Sequence, residues 1–260
     1  MEGRRFVAVG GHRLEYEIIP ARHAVAPTLV FVHQGLGSVS MWRDAPRRLA
    51  ARTGCAALVY SRLGYGWSDP APEPRPPDFM LQEGRVVLPA LLAALGRDDI
   101  VPVGHSDGGT IALAYLAAGH PARGAILAAP HVMDEAITHR AIARQSAEWP
   151  ESALRRRLVR HHRDADAMFR SWADVWLSPA FRGWTIAPLL PQVTVPLLAI
   201  QGDADTHGTM RQVDTIAERA AGPVELAKLE RCGHDPFRDR PDEVMDRCVR
   251  FLARLGVTPM

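Results

Sequence analysis

Short, continuous apolar runs separated by helix-like stretches are the feature that most constrains this chain. Three of these runs cover residues 28–33, 55–60 and 100–103. Runs of this length without polar alternation are typical of strands buried on both faces of a parallel sheet. Three later segments continue the series: 124–129, 195–201 and 223–229. We therefore predict a mostly parallel central sheet.

Helical patterns lie between these runs. At the N-terminus, residues 5–9 and 12–19 alternate polar and apolar side chains around Gly10-Gly11, which predicts a β-hairpin with one exposed face. Alternating strands and helices predict an α/β fold in which helices flank both sides of the sheet. The predicted helices cover residues 42–52, 81–95, 108–118, 210–221 and 241–255.

The alternation stops between His131 and Pro191. This stretch is mostly helical in pattern, and we interpret residues 131–190 as an inserted helical cap on a core domain of residues 1–130 and 191–260. Ordinary peripheral helices are the alternative, because periodicity alone does not separate the two. The stretch holds four of the six tryptophans: Trp149, Trp172, Trp176 and Trp184.

Composition restricts the class of protein further. The chain has 260 residues, is 47% hydrophobic and carries a formal net charge of +2, which suits one sizeable domain and argues against a nucleic-acid partner. Three scattered cysteines do not form a disulfide framework, and the histidines show no HExxH spacing, so we expect no metal and no other cofactor. Without a signal-peptide pattern or a membrane-spanning run, we expect a cytoplasmic monomer or homodimer with no membrane partner.

A glycine-flanked serine marks the candidate nucleophile. The sequence Gly104-His105-Ser106-Asp107-Gly108 is the one GxSxG pattern in the chain, and it joins a buried run to a helical pattern. A tight strand-to-helix turn strains the serine backbone, crowds its neighbours and aims the hydroxyl beyond the sheet, near a helix N-terminus. The alternative is a glycine-rich helix entry in which Ser106 is only a cap.

A serine hydroxyl needs a base and an orienting acid, which in this type of site follow in the order acid and then histidine. His234 lies after the last predicted strand, although it can also be read as a surface-loop histidine. Two acids, Asp203 and Asp205, follow the run 195–201. One of them is expected to reach the imidazole, and their position alone does not choose between them.

The chain resembles the α/β-hydrolase superfamily in five segments that occur in the family order. The resemblance implies an α/β-hydrolase fold and favours Asp205 as the acid beside Ser106 and His234, because the family acid ends the G-x-x-D segment. It also implies an oxyanion hole formed by the backbone N–H groups of Gly35 and Asp107. The five segments are HQGLGS (33–38), SRLGYGWS (61–68), GHSDG (104–108), GDAD (202–205) and GH (233–234).

Two positions depart from the family pattern. Gln34 stands where the family usually has glycine, so we expect its side chain to enter the pocket or the loop to be rearranged. Ser61 stands where many members have aspartate, but that segment is structural in most members, and the change does not predict a loss of activity. Relatives that open epoxides or remove halogens have aspartate at the centre of the turn. Ser106 at this centre argues against both activities.

The resemblance implies a serine hydrolase that cleaves a small-molecule carboxylic ester through an acyl-enzyme, without a cofactor. Carbon–carbon bond hydrolysis of aromatic ring-fission products, lactone hydrolysis, acyl-thioester hydrolysis and amide hydrolysis are alternatives that share the same triad. A non-catalytic ligand receptor on the same fold is a further alternative, because fold does not imply function.

Some residues are candidates for the substrate pocket. We expect Gln34, His105, Trp172 and Trp176 there, although tryptophans at helical spacing more often pack a core. The arginine-rich stretch 155–163 is compatible with steering a carboxylate-bearing substrate and also with a solvated helix face, which is the more common role of a charge run.

Overall fold

The computed structural model describes residues 4–22 and 26–257. These residues form an eight-stranded sheet with the order β1-β2-β4-β3-β5-β6-β7-β8. The strands are β1 (Arg5–Val9), β2 (His12–Ile19), β3 (Thr28–Val32), β4 (Ala56–Tyr60), β5 (Ile100–His105), β6 (Ala125–Ala128), β7 (Leu197–Gly202) and β8 (Val224–Leu229).

Strand directions follow the sequence pattern. The two strands of the N-terminal hairpin pair antiparallel, and β2 also runs antiparallel to β4. All other pairs, from β4 to β8 across the sheet, are parallel. Every residue of β3 to β7 is buried, which explains their continuous apolar sequences. The predicted α/β fold with a mostly parallel sheet is confirmed.

Helices cover both faces of the sheet. The helix predicted over 81–95 is divided into α2 and α3 by a π-helical turn at Glu83–Val87, and the helix predicted from residue 42 begins at Ala45 because Val39–Trp42 forms a separate 3-10 turn. The helices are α1 (Ala45–Thr53), α2 (Phe79–Gln82), α3 (Leu88–Ala94), α4 (Asp107–Ala117), α5 (Ala136–Glu148), α6 (Ala153–Leu158), α7 (Ala165–Leu177), α8 (Arg211–Arg219), α9 (Pro236–Asp239) and α10 (Pro241–Arg254).

Alternate residues of each strand enter opposite halves of the core. Val30 and Val32 of β3 pack with residues of α3 and α4, whereas Leu29 and Phe31 pack with residues of α1 and α10. This alternation is the period of two that a strand imposes on its side chains. Each helix of the described ranges is too short or too polar to cross a membrane.

Residues 131–190, which we call the helical insertion, join β6 to β7 and contain α5, α6 and α7. Their apolar side chains continue the core on the α4 side of the sheet. Trp149 stacks on Phe169 with 3.8 Å between ring centroids, and Trp184 stacks on Phe181 at 5.0 Å. These two tryptophans therefore pack within the insertion itself.

Candidate active site

Ser106 occupies the sharp turn between β5 and α4. Its backbone has φ 55° and ψ −119°, a strained conformation for a residue with a side chain. The turn is tight on both sides, since a Cβ on Gly104 would collide with the carbonyl of Gly108, and a Cβ on Gly108 would collide with the carbonyl of Val32. The Ser106 N–H donates to the carbonyl of Ala128 at 2.8 Å, which fixes the strained turn to β6. The predicted need for glycine follows from these close approaches.

The structure brings Ser106, His234 and Asp205 together. His234 Nε2 lies 2.9 Å from Ser106 Oγ, and His234 Nδ1 lies 2.8 and 2.9 Å from the two carboxylate oxygens of Asp205. Ser106 follows β5, Asp205 lies in the loop after β7, and His234 lies in the loop after β8. This array is able to move a proton from the hydroxyl to the imidazole while the carboxylate stabilises the resulting imidazolium.

Asp205 is held as a carboxylate. Burial by itself would raise its pKa, but the hydrogen bonds from His234 and from the His207 N–H outweigh burial and lower the pKa to about 2. Gln201 Nε2 donates to the other carboxylate oxygen at 2.7 Å. An acid that is ionised and held by several donors fixes both the tautomer and the orientation of the imidazole.

Asp203, the other candidate acid, has a different contact. Its Oδ1 accepts a hydrogen bond of 3.3 Å from the Cys232 N–H, at the start of the loop that carries His234. The geometry therefore separates the two acids that sequence position left open, because only the carboxylate of Asp205 contacts the imidazole in the described chain.

The backbone N–H groups of Gly35 and Asp107 are free to donate. Neither has a hydrogen-bond acceptor among the described residues. Asp107 follows Ser106 directly and opens α4, while Gly35 lines the same cavity as Ser106. Unoccupied donors beside a serine hydroxyl are what an oxyanion hole requires.

The peptide group that joins Gln34 to Gly35 is fixed from behind. The Gln34 carbonyl accepts hydrogen bonds from His33 Nδ1 at 2.7 Å, from Arg62 Nη2 at 3.0 Å and from the Gly37 N–H at 3.0 Å. The peptide is trans, so its N–H points opposite to its carbonyl. Three donors on the carbonyl therefore fix this peptide group, with the Gly35 N–H on the side opposite to them.

Arg62 is a site residue that the sequence reasoning missed. It is 1% exposed, and its Nη2 lies 3.6 Å from Oδ2 of the equally buried Asp107. Burial raises the pKa of Asp107, and the Arg62 guanidinium opposes that rise. The Asp107 side chain does not line the cavity. Arg62 thus contacts the carboxylate of Asp107 and the carbonyl of Gln34, whose peptide group carries the Gly35 N–H.

A cavity of about 380 Å³ lies over Ser106 and His234. All four residues predicted for the pocket line it: Gln34, His105, Trp172 and Trp176. Among the tryptophans of the helical insertion, the two on α7 face this cavity. The volume is typical of a site for a small molecule.

Three of the predicted pocket residues differ in what they contact. Gln34 folds back on its own loop, where its Oε1 accepts from the Leu36 N–H at 3.0 Å. His105 lies behind the triad, and its Nε2 donates to the backbone carbonyl of His234 at 2.6 Å. Trp172 packs directly on Gly35, where a Cβ would collide with its indole Nε1.

Two further histidines surround His234. The ring of His131 lies 5.6 Å and that of His207 lies 4.6 Å from the His234 ring, measured between centroids. Burial is the main cause that lowers the pKa of His131 to about 3 and that of His207 to about 4, so both are neutral near pH 7. His131 follows β6, and the rule that sites gather at the carboxyl ends of parallel strands would have identified it.

One group in the described ranges has the spacing of metal ligands. Ligand atoms of Asp205, His207 and His234 lie within 4.8 Å of one another. The Asp205 oxygens already accept hydrogen bonds from His234 Nδ1 and from the His207 N–H. A metal ion bound there would have to displace the contact that orients His234.

The model of the alpha/beta hydrolase family matches residues 29–247. This chain belongs to the α/β-hydrolase family. No curated protein sequence matches this α/β hydrolase significantly. Solved structures that resemble it include the enol-lactonase of Burkholderia xenovorans LB400, with 20% identity, a TM-score of 0.76 and coverage of 96% of this chain and 100% of that one.

Other solved structures share the fold of this α/β hydrolase. A thermophilic esterase from Thermogutta terrifontis has 19% identity and a TM-score of 0.74, over 98% of this chain and 99% of that one. CarC, a serine hydrolase involved in carbazole degradation, has 17% identity and a TM-score of 0.76, over 96% of this chain and 98% of that one. At such identities, these likenesses show the fold alone.

Proposed function

We propose that this α/β hydrolase is a serine hydrolase that cleaves carboxylic esters. The supporting observation is the chain of contacts from Ser106 Oγ to His234 Nε2 at 2.9 Å and from His234 Nδ1 to Asp205 at 2.8 Å, beneath a cavity of small-molecule size. The free N–H groups of Gly35 and Asp107 add the donors that the reaction needs.

In the proposed mechanism, Ser106 Oγ attacks the ester carbonyl while His234 Nε2 takes its proton. The carbonyl oxygen becomes an oxyanion that accepts hydrogen bonds from the N–H groups of Gly35 and Asp107, and each donor of this kind is worth about 3 kcal/mol. His234 then gives the proton to the leaving alcohol, and an acyl-enzyme remains. Water, activated by His234, cleaves the acyl-enzyme and restores the serine.

In this proposal, the helical insertion (131–190) is a cap over a core of residues 1–130 and 191–260. The cap interpretation is supported by the cavity wall, to which α5, α6 and α7 all contribute. Apolar side chains such as Ile142, Leu154 and Trp176 lie on this wall. They provide an apolar surface for the acyl or alcohol part of the substrate.

The triad alone does not choose among esters, lactones, thioesters and carbon–carbon bonds. The names of the structural relatives include an enol-lactonase, an esterase and a hydrolase of carbazole degradation. Measuring initial rates on one substrate of each class ranks these activities. We expect the highest kcat/KM on an ester. If a yellow dienoate ring-fission product is cleaved with a higher kcat/KM than the ester, the protein is instead a carbon–carbon bond hydrolase.

The experiment that tests the ester hydrolase is a comparison of Ser106→Ala with the wild-type protein on p-nitrophenyl butyrate. We expect the variant to lose at least about a thousandfold in kcat, since the nucleophile is removed. Ser146→Ala, on α5, is the matched control and should keep wild-type activity. Full activity in Ser106→Ala would refute the proposal, and negligible turnover by the wild-type protein with tight ligand binding would support a receptor instead.

A further inference from the structure

Three arginines line the cavity that contains Ser106. Arg43 precedes α1, Arg157 lies on α6 and Arg238 lies on α9, so the three come from separate parts of the chain. The one carboxylate on the same cavity wall is that of Asp235, among the residues that the structure describes. The wall therefore carries an excess of positive charge.

Two of these arginines have no partner for their charge. Arg238 Nε forms an ion pair of 3.0 Å with Asp239, whereas the side chains of Arg43 and Arg157 make no hydrogen bond or ion pair with any described residue. Asp235 forms no ion pair with either of them among the described residues, and its Oδ1 accepts from the Arg238 N–H at 3.3 Å at the start of α9. Two guanidinium groups are thus available to a ligand.

The neighbours of Arg157 in the arginine run behave differently. Arg155 pairs with Asp166 at 2.7 Å, and Arg156 Nη1 donates to the Glu151 carbonyl at 2.7 Å. Neither lines the cavity. The run is therefore partly a solvated helix face, as charge runs usually are, but it also contributes Arg157 to the site.

The pKa of His161 responds to the positive charge of the unpaired arginines. The His161 side chain lines the cavity, and its Nδ1 is hydrogen-bonded with Ser40 Oγ at 2.8 Å. Burial is the main cause that lowers the pKa of His161, and the charges of Arg160, Arg157 and Arg43 lower it further. A cation is therefore disfavoured at this part of the cavity, and an anion is favoured.

We propose that the substrate carries a carboxylate in addition to its ester, with Ser106 at the ester carbonyl and Arg43 and Arg157 at the carboxylate. A guanidinium group matches the two oxygens of a carboxylate and remains charged at all relevant pH values. This inference rests on the proposed ester hydrolysis for its reaction. It adds the chemical class of the substrate, a monoester of a dicarboxylic acid.

The available space fits such a molecule. The cavity of about 380 Å³ adjoins a groove of about 280 Å³ that shares Gln34, Arg43 and Arg238 with it. A dicarboxylic monoester of six or so carbon atoms is within the range that pockets of this size hold. The neutral rings of Trp172 and Trp176 line the same cavity as Ser106 and suit the apolar chain between the two ends.

The kinetic test compares 4-nitrophenyl hydrogen adipate with its methyl ester, which differs from it by one methyl group and carries no charge. We expect the wild-type protein to prefer the charged substrate by about tenfold in kcat/KM at low salt, mainly through KM. The double variant R43Q/R157Q should lose this preference, because its kcat/KM on the charged substrate falls to about that on the methyl ester. Arg156→Gln removes one charge from the same helix and should retain the preference.

A binding test separates this inference from the proposed reaction. Adipate is titrated into Ser106→Ala by calorimetry, with neutral adipamide as the matched probe. We expect adipate to bind and adipamide to bind at least about tenfold more weakly. The affinity for adipate should fall when the R43Q and R157Q substitutions are introduced into Ser106→Ala. Equal kinetics on the two esters together with no arginine-dependent adipate binding would overturn the inference, even if esters are hydrolysed. Wild-type activity in Ser106→Ala would instead overturn the proposed reaction.

Discussion

Arg62 Nη2 donates a hydrogen bond of 3.0 Å to the carbonyl oxygen of Gln34. The same peptide group presents the Gly35 N–H, so the buried guanidinium holds one half of the proposed oxyanion hole in place. The other half is the N–H of Asp107, whose carboxylate lies 3.6 Å from Arg62. One side chain therefore stabilises two backbone donors that are far apart in sequence.

Replacing Arg62 should weaken transition-state binding more than substrate binding. We expect Arg62→Met to lower kcat about 10- to 100-fold with a small change in KM, because an oxyanion donor is misplaced while the cavity wall is kept. The checks are steady-state kinetics and the affinity for a boronic acid that mimics the tetrahedral intermediate. Arg62→Lys keeps the charge, so its kcat should lie between those of the wild-type protein and Arg62→Met. Thermal unfolding tests whether each variant is folded, and a loss confined to KM would contradict this role.

Asp205 and Asp203 should differ sharply in their effect on activity. Asp205→Asn replaces the acceptor of His234 Nδ1 and should lower kcat by roughly a thousandfold. Asp203→Asn is the matched control, since the Asp203 carboxylate contacts the Cys232 N–H rather than His234, and the variant should stay within about threefold of wild type. Initial rates on p-nitrophenyl butyrate distinguish them. The reverse ranking would reassign the acid.

His162 should make the protein sensitive to acid. Its Nδ1 accepts from the Gly66 N–H at 2.9 Å and its Nε2 donates to the Leu36 carbonyl at 3.2 Å, so the neutral ring joins the helical insertion to the loop beside Gly35. Burial is the main cause that lowers the pKa of His162 to about 4, from an ordinary value of 6.5. The unfolded chain therefore takes up a proton at a higher pH than the folded one.

The stability that depends on neutral His162 is present above pH 6.5 and is lost as the pH falls toward 4. Its full loss amounts to roughly 3 kcal/mol of the free energy of unfolding. Urea unfolding at several pH values between 7 and 4 measures this loss. We expect His162→Gln to unfold more easily at pH 7 but to show a shallower decline with acid, while His12→Gln, exposed on the hairpin, should follow the wild-type curve. An unchanged decline in His162→Gln would contradict the assignment.

Local patterns in the sequence account for the sheet and for the turn at Ser106. The apolar runs indicate burial on both faces of the strands, and the glycines around Ser106 indicate close approaches of the backbone. Both features can be predicted from short stretches of sequence. The order of Ser106, Asp205 and His234 along the chain likewise agrees with how the structure brings them together. The interpretation of these three residues as a triad stays a prediction.

Other parts of the site depend on long-range packing, which the sequence pattern does not encode. Arg62 reaches the Gln34 carbonyl because the segment after β4 folds beneath the loop after β3. The orientation of α6 about its axis determines which arginines of the run 155–163 face the cavity. For this reason, the pattern could not distinguish Arg157, which lines the cavity, from Arg155, which pairs with Asp166.

The most direct test of the account is covalent labelling of Ser106. The protein is mixed with a fluorophosphonate, whose phosphorus bonds to the oxygen of an activated serine while fluoride leaves. The adduct is located by mass spectrometry of peptides. We predict one adduct per chain on Ser106, labelling that is strongly slowed in His234→Ala, and no adduct at this site in Ser106→Ala. Labelling of Ser106→Ala to the wild-type extent, or an adduct on a different residue, would contradict the account.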